Sequence, residues 1–435
     1  MAFGGRKLHF VGIGGAGMSG LALVSRELGA RVSGSDRAES SYCDRLRAAG
    51  IEPAIGPHDA ANVPPGAEVV VSTAIPEDNP EVQAARAAGA TVLHRGDLLG
   101  ELSRMKRTIA VGGTHGKTTT ASMTALALSE AGRDPAFLIG GELRAASTNA
   151  AWGSGDWAVI EADESDRSFL KLDREVAVVT NVELDHHATY RTLTELESAF
   201  TAFLEPASVR VLGPDVHLPV DGDIVRLGEA HELELTPGGS RFRVEGVQVE
   251  LHVPGRHNVL NALVALAACK AAGLDAAGAA PGLAAFTGAG RRFEALGRTE
   301  RGALVYDDYA HHPTEVRATL EAARTLRPRR LVACFQPHLY SRTRMLAREF
   351  GRALALADVV VVTDVYPARE RAKDFPGVSG LTVARAAADA AGGCPVWWLP
   401  SLDDAERLLR AELAGGDLLL TLGAGDVDSL AKNLT

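Results

Sequence analysis

The chain has 435 residues, of which 46% are hydrophobic and 23% are charged. At roughly 150 residues per domain, this length predicts about three globular domains, each large enough to bury a core. The 45 Lys and Arg residues against 55 Asp and Glu residues give a formal net charge of -10, which argues against nucleic acid as a partner.

The start of the chain resembles a signal peptide only superficially. Arg6 and Lys7 precede an apolar stretch to Val24, but the glycines after Val11 would weaken the helix of such a segment, so a strand, turn and helix are favoured. No run of about 18 uninterrupted apolar residues occurs elsewhere, so no membrane-spanning helix is expected. The four cysteines lie far apart without CxxC spacing, which favours reduced thiols in a cytoplasmic protein.

Strands and helical patterns alternate along the chain, which is typical of parallel sheets covered by helices. The predicted class is α/β with three domains: an amino-terminal Rossmann-like domain, a central P-loop domain that binds ATP, and a carboxy-terminal Rossmann-like domain. The predicted domains comprise residues 1–106, 107–290 and 291–435. The clearest predicted strands are 8–13, 69–72, 91–93, 108–111, 157–160, 176–180, 304–306, 331–335, 359–363 and 418–422.

The first predicted strand runs into GIGGAG at residues 12–17, which fits the GxGxxG pattern, and Asp36 follows the next strand. Glycines in such a turn let the backbone and a helix N-terminus approach a diphosphate, and a carboxylate near this offset suits a ribose diol. The motif alone is therefore compatible with NAD or with any other ribosyl diphosphate, including a UDP-sugar. A tight turn without a ligand is the least favoured interpretation.

The central segment begins with a strand followed by GGTHGKTT at residues 112–119 and then by helical spacing. Glycine backbone N–H groups can surround phosphate oxygens, Lys117 can reach the outer phosphates, and the Thr118 hydroxyl can ligate Mg²⁺. Gly112 lies one residue nearer to the Gly-Lys pair than the common GxxxxGKT spacing requires. The loop predicts ATP, and the alternative is a tight turn with a solvated lysine.

Two buried-looking strands of the central segment end in polar residues, EADESD at 161–166 and NVELDHH at 181–187. Open α/β sheets bind ligands at the carboxyl ends of their strands. Oxygen ligands suit Mg²⁺, and an imidazole is unusual but tolerable. Alternatives are a solvated acidic loop and, for His186 and His187, a capping or surface role. Residues 205–253 differ from the rest, because short Val-rich strands separated by Pro and Gly predict an antiparallel excursion.

In the carboxy-terminal segment, polar clusters follow four predicted strands, at residues 307–312, 336–338, 364–367 and 423–426. Arginines near these ends could neutralise a transferring phosphate or clamp a carboxylate, because the guanidinium fork suits both groups. A surface charge is the alternative for any single arginine. The arginines concerned are Arg291, Arg292, Arg342 and Arg344.

Several segments together resemble the Mur ligase family: GGTHGKTTT, EADESDRSFL, NVELDHHATY, GRHNVLNALVA, GAGRRFEALG, DDYAHHPTEV and FQPHLYSRTR. They lie between residues 112 and 344 and, with weaker matches at both ends, the resemblance covers nearly the whole chain. It implies an ATP- and Mg²⁺-dependent ligase of peptidoglycan synthesis that joins UDP-N-acetylmuramate to L-alanine through an acyl phosphate. The nearest alternative is a recycling ligase that adds a preformed tripeptide to the same sugar.

The resemblance also implies roles for individual residues. Expected to bind ATP are Gly112, Gly113, Thr114, His115, Gly116, Lys117, Thr118, Thr119, Asn258 and Asn261. Expected near the UDP-sugar are Gly14, Gly15, Gly17, Met18 and Ser19 at its diphosphate, Asp36 at its uridine half, and Ser72 and Thr73. Expected metal ligands are Thr118, Glu161 and His186, and expected catalytic residues are Lys117, His186, Arg342 and Arg344. Some relatives hold a second metal with a carbamylated lysine, whereas residues 197–200 here read ESAF.

Two further classes of function are compatible with parts of the sequence. An NAD-dependent oxidoreductase would use the GxGxxG turn with Asp36, and it would transfer hydride without needing ATP. A nucleotide-gated binding module would bind ATP without turning it over. Turnover of ATP that depends on a UDP-sugar and an amine separates the ligase from both.

Overall fold

The computed structural model describes residues 2–226 and 228–435. The strands are β1 (Lys7–Val11), β2 (Arg31–Asp36), β3 (Ala54–Ile55), β4 (Glu68–Val71), β5 (Val92–His94), β6 (Arg107–Gly112), β7 (Ala136–Leu143), β8 (Thr148–Trp152), β9 (Trp157–Glu161), β10 (Val176–Val179), β11 (Val209–Leu212), β12 (Asp223–Val225), β13 (His231–Thr236), β14 (Gly239–Val244), β15 (Val247–Leu251), β16 (Glu294–Arg298), β17 (Leu304–Asp308), β18 (Arg330–Phe335), β19 (Val359–Val362), β20 (Val396–Trp398) and β21 (Asp417–Leu422). The helices are α1 (Ala16–Glu27), α2 (Ser41–Ala48), α3 (Pro80–Ala87), α4 (Arg95–Ser103), α5 (Lys117–Glu130), α6 (Leu193–Leu204), α7 (Arg256–Ala271), α8 (Ala276–Ala284), α9 (Pro313–Thr325), α10 (Tyr340–Leu354), α11 (Gly380–Ala390), α12 (Leu402–Glu412) and α13 (Val427–Leu434).

Two compact units make up the chain. The first contains residues 1–229, 244–247 and 260–286, and the second contains residues 230–243, 248–259 and 287–435. Strands and helices alternate in both units, so the predicted α/β class with Rossmann-like parallel sheets is confirmed. No helix within the described residues is both long and apolar enough to cross a membrane.

The amino-terminal sheet of the first unit has the order β3-β2-β1-β4-β5, and all of its pairs are parallel. Strand β1 forms its centre, with Leu8 and Phe10 fully buried. The sequence order of the strands reverses beside β1, because its two neighbours are β2 and β4. In open parallel sheets, ligands bind in the crevice at such a reversal. The glycine turn after β1 therefore lies where a ligand is expected.

The central sheet of the first unit has the order β12-β11-β10-β6-β9-β7-β8. Its pairs are parallel except for the hairpin β7–β8. Strand β6 lies between β10 and β9, and Ile109, Ala110 and Val111 on it are fully buried. The phosphate loop thus begins at the middle of the sheet, flanked by the strands that carry the two acidic segments.

The prediction of an antiparallel excursion over residues 205–253 is wrong in its first half. Strand β11 pairs in parallel with β10, β12 pairs in parallel with β11, and both extend the central sheet. Helix α6 explains the parallel pairing of β11, because a helical crossover returns the chain to run parallel to its starting strand. Strands β13, β14 and β15 form a separate three-stranded sheet, in which β13 and β14 are antiparallel as expected.

One apolar core runs through both sheets of the first unit. It contains Leu21 of α1 together with Leu138 of β7 and Ala150 of β8. Polar contacts follow the same route, because Asn149 Nδ2 donates a hydrogen bond of 2.6 Å to the carbonyl oxygen of Ala16. The amino-terminal sheet and the central sheet are therefore packed together rather than merely linked by the chain.

The second unit contains a six-stranded sheet in the order β16-β17-β21-β18-β19-β20. Its pairs are parallel except for β16–β17, an antiparallel edge pair that the sequence did not predict. Apolar residues cover both faces: Val316, Leu320 and Phe350 belong to the core on one side, and Leu409 and Leu430 to that on the other. The sheet is therefore doubly wound.

Candidate active site

The phosphate loop, residues 112–119, joins β6 to α5. Gly113 and Gly116 have φ angles of +124° and +78°. A Cβ on Gly113 would lie 2.0 Å from Thr180 Oγ1, and one on Gly116 would lie 2.3 Å from Asn261 Oδ1. Both positions require glycine, and the loop is held between the end of β10 and helix α7. The first N–H groups of α5 have no intrahelical acceptors and favour an anion.

The side chains of Thr114 and His115 fix the shape of this loop. Thr114 Oγ1 donates a 2.9 Å hydrogen bond to the carbonyl oxygen of Glu183, and His115 Nε2 lies 3.0 Å from Glu183 Oε2. The backbone N–H of His115 donates to Asn181 Oδ1 at 2.9 Å. Thr119 is buried below the loop. The loop is thus anchored to the segment after β10, which is the second segment expected to carry metal ligands.

Lys117, the first residue of α5, is held in place by loop carbonyl groups and a carboxylate. Its Nζ donates to the carbonyl oxygens of Gly113 at 2.7 Å and Thr114 at 3.1 Å, and it lies 2.9 Å from Glu164 Oε2. Burial alone would lower the pKa of Lys117, but Glu164 and neighbouring carboxylates raise it. The lysine therefore remains a cation beside the predicted phosphate site.

His186 meets Glu164, which was not among the expected site residues. His186 Nε2 lies 3.2 Å from Glu164 Oε1, and Tyr190 Oη donates to the carbonyl oxygen of Glu164 at 2.8 Å. Burial alone would lower the pKa of His186, but the hydrogen bond with Glu164 and the charge of Asp185 raise it. Glu164 thus joins two residues predicted to be catalytic, Lys117 and His186. Its place within EADESD was the signal that pointed to it.

The expected metal ligands take part in two separate contacts, Thr118 with Glu161 and His186 with Glu164. Thr118 Oγ1 donates to Glu161 Oε1 at 3.1 Å, and Glu161 Oε2 accepts the backbone N–H of Gly140 at 2.7 Å. A carboxylate has about four lone-pair sites, so Glu161 retains capacity for a cation. His186 contacts Glu164 through Nε2, so a metal bound by this nitrogen would replace the contact with Glu164. Hydroxyl and carboxylate oxygens with at most one imidazole fit Mg²⁺, and the ligand set stays a prediction.

The two asparagines of GRHNVLNALVA lie three residues apart on α7, so they share one side of this helix. Asn261 is in contact with the phosphate loop through Gly116. Asn258 Nδ2 donates to the carbonyl oxygen of Pro254 at 2.8 Å, one turn earlier on the chain. The contact of Asn261 is the one that supports a role in ATP binding.

In the amino-terminal glycine turn, the expected UDP-sugar residues lie at the ends of β1, β2 and β4. Gly15 precedes α1, and no side chain caps that helix. Asp36 Oδ2 accepts the backbone N–H of Gly14 at 2.9 Å, and Ser40 Oγ donates to the Gly14 carbonyl oxygen at 2.8 Å. Asp36 therefore also shapes the turn, a structural role that the motif alone does not reveal.

Met18 and Ser19 are buried, so their side chains point into the protein. Met18 belongs to the apolar core, and Ser19 Oγ donates to the carbonyl oxygen of Ala16 at 2.9 Å. A ligand could therefore meet only their main-chain groups. Ser72 Oγ accepts the N–H of Ala74 at 3.3 Å, and Thr73 is exposed beside it.

In the second unit, the polar ends of the strands do come together. Arg291 Nε donates to Asp307 Oδ2 at 2.9 Å, and its two terminal nitrogens donate to the carbonyl oxygens of Gly423 and Gly425 at 2.8 and 3.0 Å. Asp308 accepts backbone N–H groups, and burial raises its pKa to about 6. Arg291 therefore joins the polar ends of β17 and β21, and the ligand-binding role of these ends stays a prediction.

Arg342 and Arg344 have different surroundings, although both were expected to be catalytic. Arg342 is buried, and its Nη1 lies 3.0 Å from His338 Nδ1. Arg344 is exposed, and its guanidinium lies 5.2 Å from the ring centre of Phe375. Residues two apart on a helix do not face each other, which explains the difference. The two roles stay predictions, and that of Arg344 has less support.

Comparisons with known proteins agree with this combination of a phosphate loop and α/β sheets. The family model described as "Mur ligase family, catalytic domain" matches residues 7–107. The "Mur ligase middle domain" matches residues 111–214, and the "Mur ligase, glutamate ligase domain" matches residues 291–425.

Relatives match over the full length. The chain is 47% identical to the UDP-N-acetylmuramate–L-alanine ligase of Acidithiobacillus ferrooxidans, over 98% of this chain and 96% of that one. The solved UDP-N-acetylmuramate-alanine ligase of Thermotoga maritima is 31% identical, with a TM-score of 0.83 over 98% of each chain. A murein peptide ligase of Psychrobacter arcticus is 24% identical, with a TM-score of 0.75 over 99% of this chain and 100% of that one.

Fold and site together define a class of nucleotide-dependent ligases whose chain combines a P-loop with Rossmann-like sheets. The chain belongs to the Mur ligase family. The resemblance of the sequence motifs to this family is thereby confirmed.

Proposed function

We propose that the chain is an ATP-dependent ligase that forms an amide between the carboxylate of UDP-N-acetylmuramate and the amine of L-alanine, in the cytoplasmic stage of peptidoglycan precursor synthesis. The observation that carries the proposal is the pair of Lys117 with the buried Glu164 in a phosphate loop whose shape requires glycine. The full-length identity of 47% to an L-alanine ligase supports the choice of substrates.

The chemistry explains why such a loop is needed. A carboxylate does not react with an amine, because oxide would have to leave. In the proposed reaction a carboxylate oxygen attacks the γ-phosphorus of ATP, and the bond from phosphorus to ADP breaks. The alanine amine then attacks the acyl carbon, the bond to phosphate breaks, and the amine loses a proton. Phosphoryl transfer depends mainly on positioning and on neutralisation of charge.

The residues of the first unit suit these demands. Lys117 would neutralise charge on the transferring phosphoryl group, and the N–H groups at the start of α5 would hold its oxygens. Glu164 keeps Lys117 charged and fixes its side chain. Mg²⁺, when bound by Thr118, Glu161 and His186, would supply further positive charge and orient ATP against the carboxylate. Asn261 would support the loop from α7.

Two alternatives have less support. The tripeptide-adding ligases share the fold, but the murein peptide ligase of Psychrobacter arcticus has lower identity and TM-score than the L-alanine ligase of Thermotoga maritima. The glycine turn with Asp36 is the feature that would support an oxidoreductase. The phosphate loop would then have no role.

The test is release of ADP from purified protein supplied with ATP, Mg²⁺ and UDP-N-acetylmuramate. We expect release that depends on L-alanine and is low without an amine. Release only with the tripeptide would assign the chain to the recycling branch. Absence of release with either amine, together with binding of NAD(H) and hydride transfer, would favour the oxidoreductase.

A further inference from the structure

Arg95 joins the two sheets of the first unit at a position between the predicted binding sites. It is the first residue of α4, in the amino-terminal domain. Its Nη2 donates to Asp163 Oδ2 at 2.7 Å and to Asp166 Oδ2 at 3.0 Å. Its side chain is only 18% exposed and that of Asp166 only 7%. The side chain of Asp163 is 36% exposed, so the guanidinium is held between one buried and one partly exposed carboxylate of the central domain.

The other end of the same guanidinium faces the glycine turn. A Cβ on Gly17 would lie 3.6 Å from Nη1 of Arg95. Gly17 is in the first turn of α1, where the diphosphate of the UDP-sugar is expected. An anion there would benefit from the helix dipole and from a guanidinium N–H. Arg95 thus places one nitrogen on the acidic segment and one beside the diphosphate site.

The acidic segment that Arg95 contacts, residues 161–166, also contacts the phosphate loop. Asp163 lies in the chain between Glu161, which contacts Thr118, and Glu164, which contacts Lys117. The backbone of a segment moves together over such a short distance, so the position of Asp163 affects both glutamates. The contact of Arg95 with Asp163 therefore bears on the phosphoryl-transfer site.

The backbone around Arg95 is held by separate contacts. His94 caps α4, because its Nδ1 accepts the N–H of Gly96 at 3.1 Å, and Lys171 Nζ lies 2.6 Å from Asp97 Oδ1. A Cβ on Gly96 would lie 2.6 Å from that of Ser168, so the two segments are in close contact there. The domains would therefore stay packed if the guanidinium were removed, which makes its own role measurable.

We propose that Arg95 is a positioning residue that couples binding of the nucleotide-sugar diphosphate to the geometry of the acidic segment at the phosphate loop. The diphosphate would accept a hydrogen bond from Nη1 while Nη2 keeps Asp163 and Asp166 in place. ATP and the UDP-sugar would then each bind more tightly when the other is present, because coupling between two sites is reciprocal. This inference rests on the proposed function.

The test compares Arg95→Gln with Arg45→Gln in the full chain. Arg45 forms an ion pair with Glu142 and also joins the amino-terminal domain to the central sheet, but its partner lies outside the acidic segment. For Arg95→Gln we expect kcat/KM for UDP-N-acetylmuramate to fall roughly 10- to 100-fold, the effect of one charged hydrogen bond. Arg45→Gln should stay within about fivefold of the wild type. Arg95→Lys keeps the charge without the fork, so its loss should be intermediate.

Calorimetry supplies the readout that a purely structural role would not change. Binding of UDP-N-acetylmuramate is measured with and without a non-hydrolysable ATP analogue and Mg²⁺. We expect tighter binding with the analogue in the wild type and in Arg45→Gln, and no such gain in Arg95→Gln. Wild-type coupling in Arg95→Gln, or no coupling in the wild type, would overturn the inference.

Two further outcomes are distinguishable. If Arg95→Gln does not fold, Asp166→Ala replaces it, because this change removes one acceptor of Arg95 and leaves the guanidinium; unchanged coupling in Asp166→Ala would then overturn the inference. If the wild type releases no ADP with L-alanine, the proposed function fails and the inference with it. An active wild type with an unaffected Arg95→Gln would contradict the inference alone.

Discussion

The amino-terminal glycine turn, residues 12–17, and the phosphate loop, residues 112–119, have similar construction. Each follows an interior strand of a parallel sheet and leads into a helix. They differ in the source of their positive charge. The phosphate loop carries its own cation, Lys117, which is fixed by Glu164. The glycine turn has neither lysine nor arginine, and the guanidinium nearest to Gly17 comes from Arg95 on another helix.

This difference matches the chemistry proposed for the two sites. A phosphoryl group that is transferred develops charge that must be neutralised locally, so a lysine within the loop is useful. A diphosphate that does not react needs only to be bound. The same strand, glycine turn and helix can therefore serve either purpose, and the position of the cation distinguishes them.

The largest effect is expected from Lys117→Met. The change keeps much of the side-chain volume and removes the ammonium group that Glu164 and the loop carbonyls hold. We expect kcat for ADP release to fall by roughly 100- to 1,000-fold, which is typical for loss of one preorganised charge donor. Binding of UDP-N-acetylmuramate, followed by calorimetry without ATP, should change little. An equal loss of ADP release and of UDP-N-acetylmuramate binding would contradict the distinction between the two turns.

A smaller effect is expected from Gly116→Ala. The added Cβ would collide with Asn261 Oδ1, and φ of +78° strains any residue with a side chain. We expect KM for ATP to rise by about tenfold, in line with roughly 1–2 kcal/mol of strain plus the displaced contact.

Gly132→Ala is the matched control, because Gly132 has φ of +73° and no atom within 4 Å of the added Cβ. Both variants should unfold at somewhat lower temperature than the wild type. Only Gly116→Ala should bind ATP more weakly. An equal rise of KM for ATP in both would show that strain, rather than the contact with Asn261, is responsible.

The strand-to-glycine turns of β1 and β6 were accessible from the sequence because apolar runs followed by glycine are local signals. The Lys117–Glu164 pair and the contacts of Arg95 could not be predicted from such local signals. The first joins residues 47 positions apart, and the second joins residues at least 68 positions apart. The parallel pairing of β11 was missed for a related reason. Periodicity predicts which face of a strand is buried, but its partner strand depends on the path of the chain. The domain boundaries and residue roles stay predictions.

The glycine turn itself is tested by Asp36→Asn. Asp36 Oδ2 accepts the N–H of Gly14, and an amide would accept the same hydrogen bond without the charge. We expect KM for UDP-N-acetylmuramate to rise by roughly 2- to 10-fold, the range of a modest hydrogen-bond change. KM for ATP should remain unchanged, and a change there of similar size would contradict separate roles for the two turns.

The smallest effect is a difference in acid stability between the two regions. Glu81 is fully buried and contacts His9 of β1, whereas Ile109, Ala110 and Val111 in the interior of β6 are buried and apolar. Burial alone would raise the pKa of Glu81, but hydrogen bonds with His9, Asn62 and Ser35 lower it to about 2. Its stabilisation is therefore present above the unfolded pKa of 4.5 and is lost as pH falls from 4.5 toward 2.

Glu81→Gln should accordingly lower the unfolding temperature at pH 7. The difference in unfolding temperature between the variant and the wild type should become smaller as the solution is acidified. Each kcal/mol corresponds to about 2–4 °C for a domain of 150–250 residues. The titratable groups that face Glu81 are His9 and His58. A gap that is constant from pH 7 to pH 3 would contradict this role of the charge.

The central claim is that the phosphate loop activates a carboxylate by phosphorylation. The most direct test places isotopic oxygen in the lactyl carboxylate of UDP-N-acetylmuramate and follows it during turnover with ATP and L-alanine. We predict that one labelled oxygen appears in the released phosphate for each amide formed. Amide formation with unlabelled phosphate would contradict an acyl phosphate intermediate, and with it the role assigned to Lys117 and its loop.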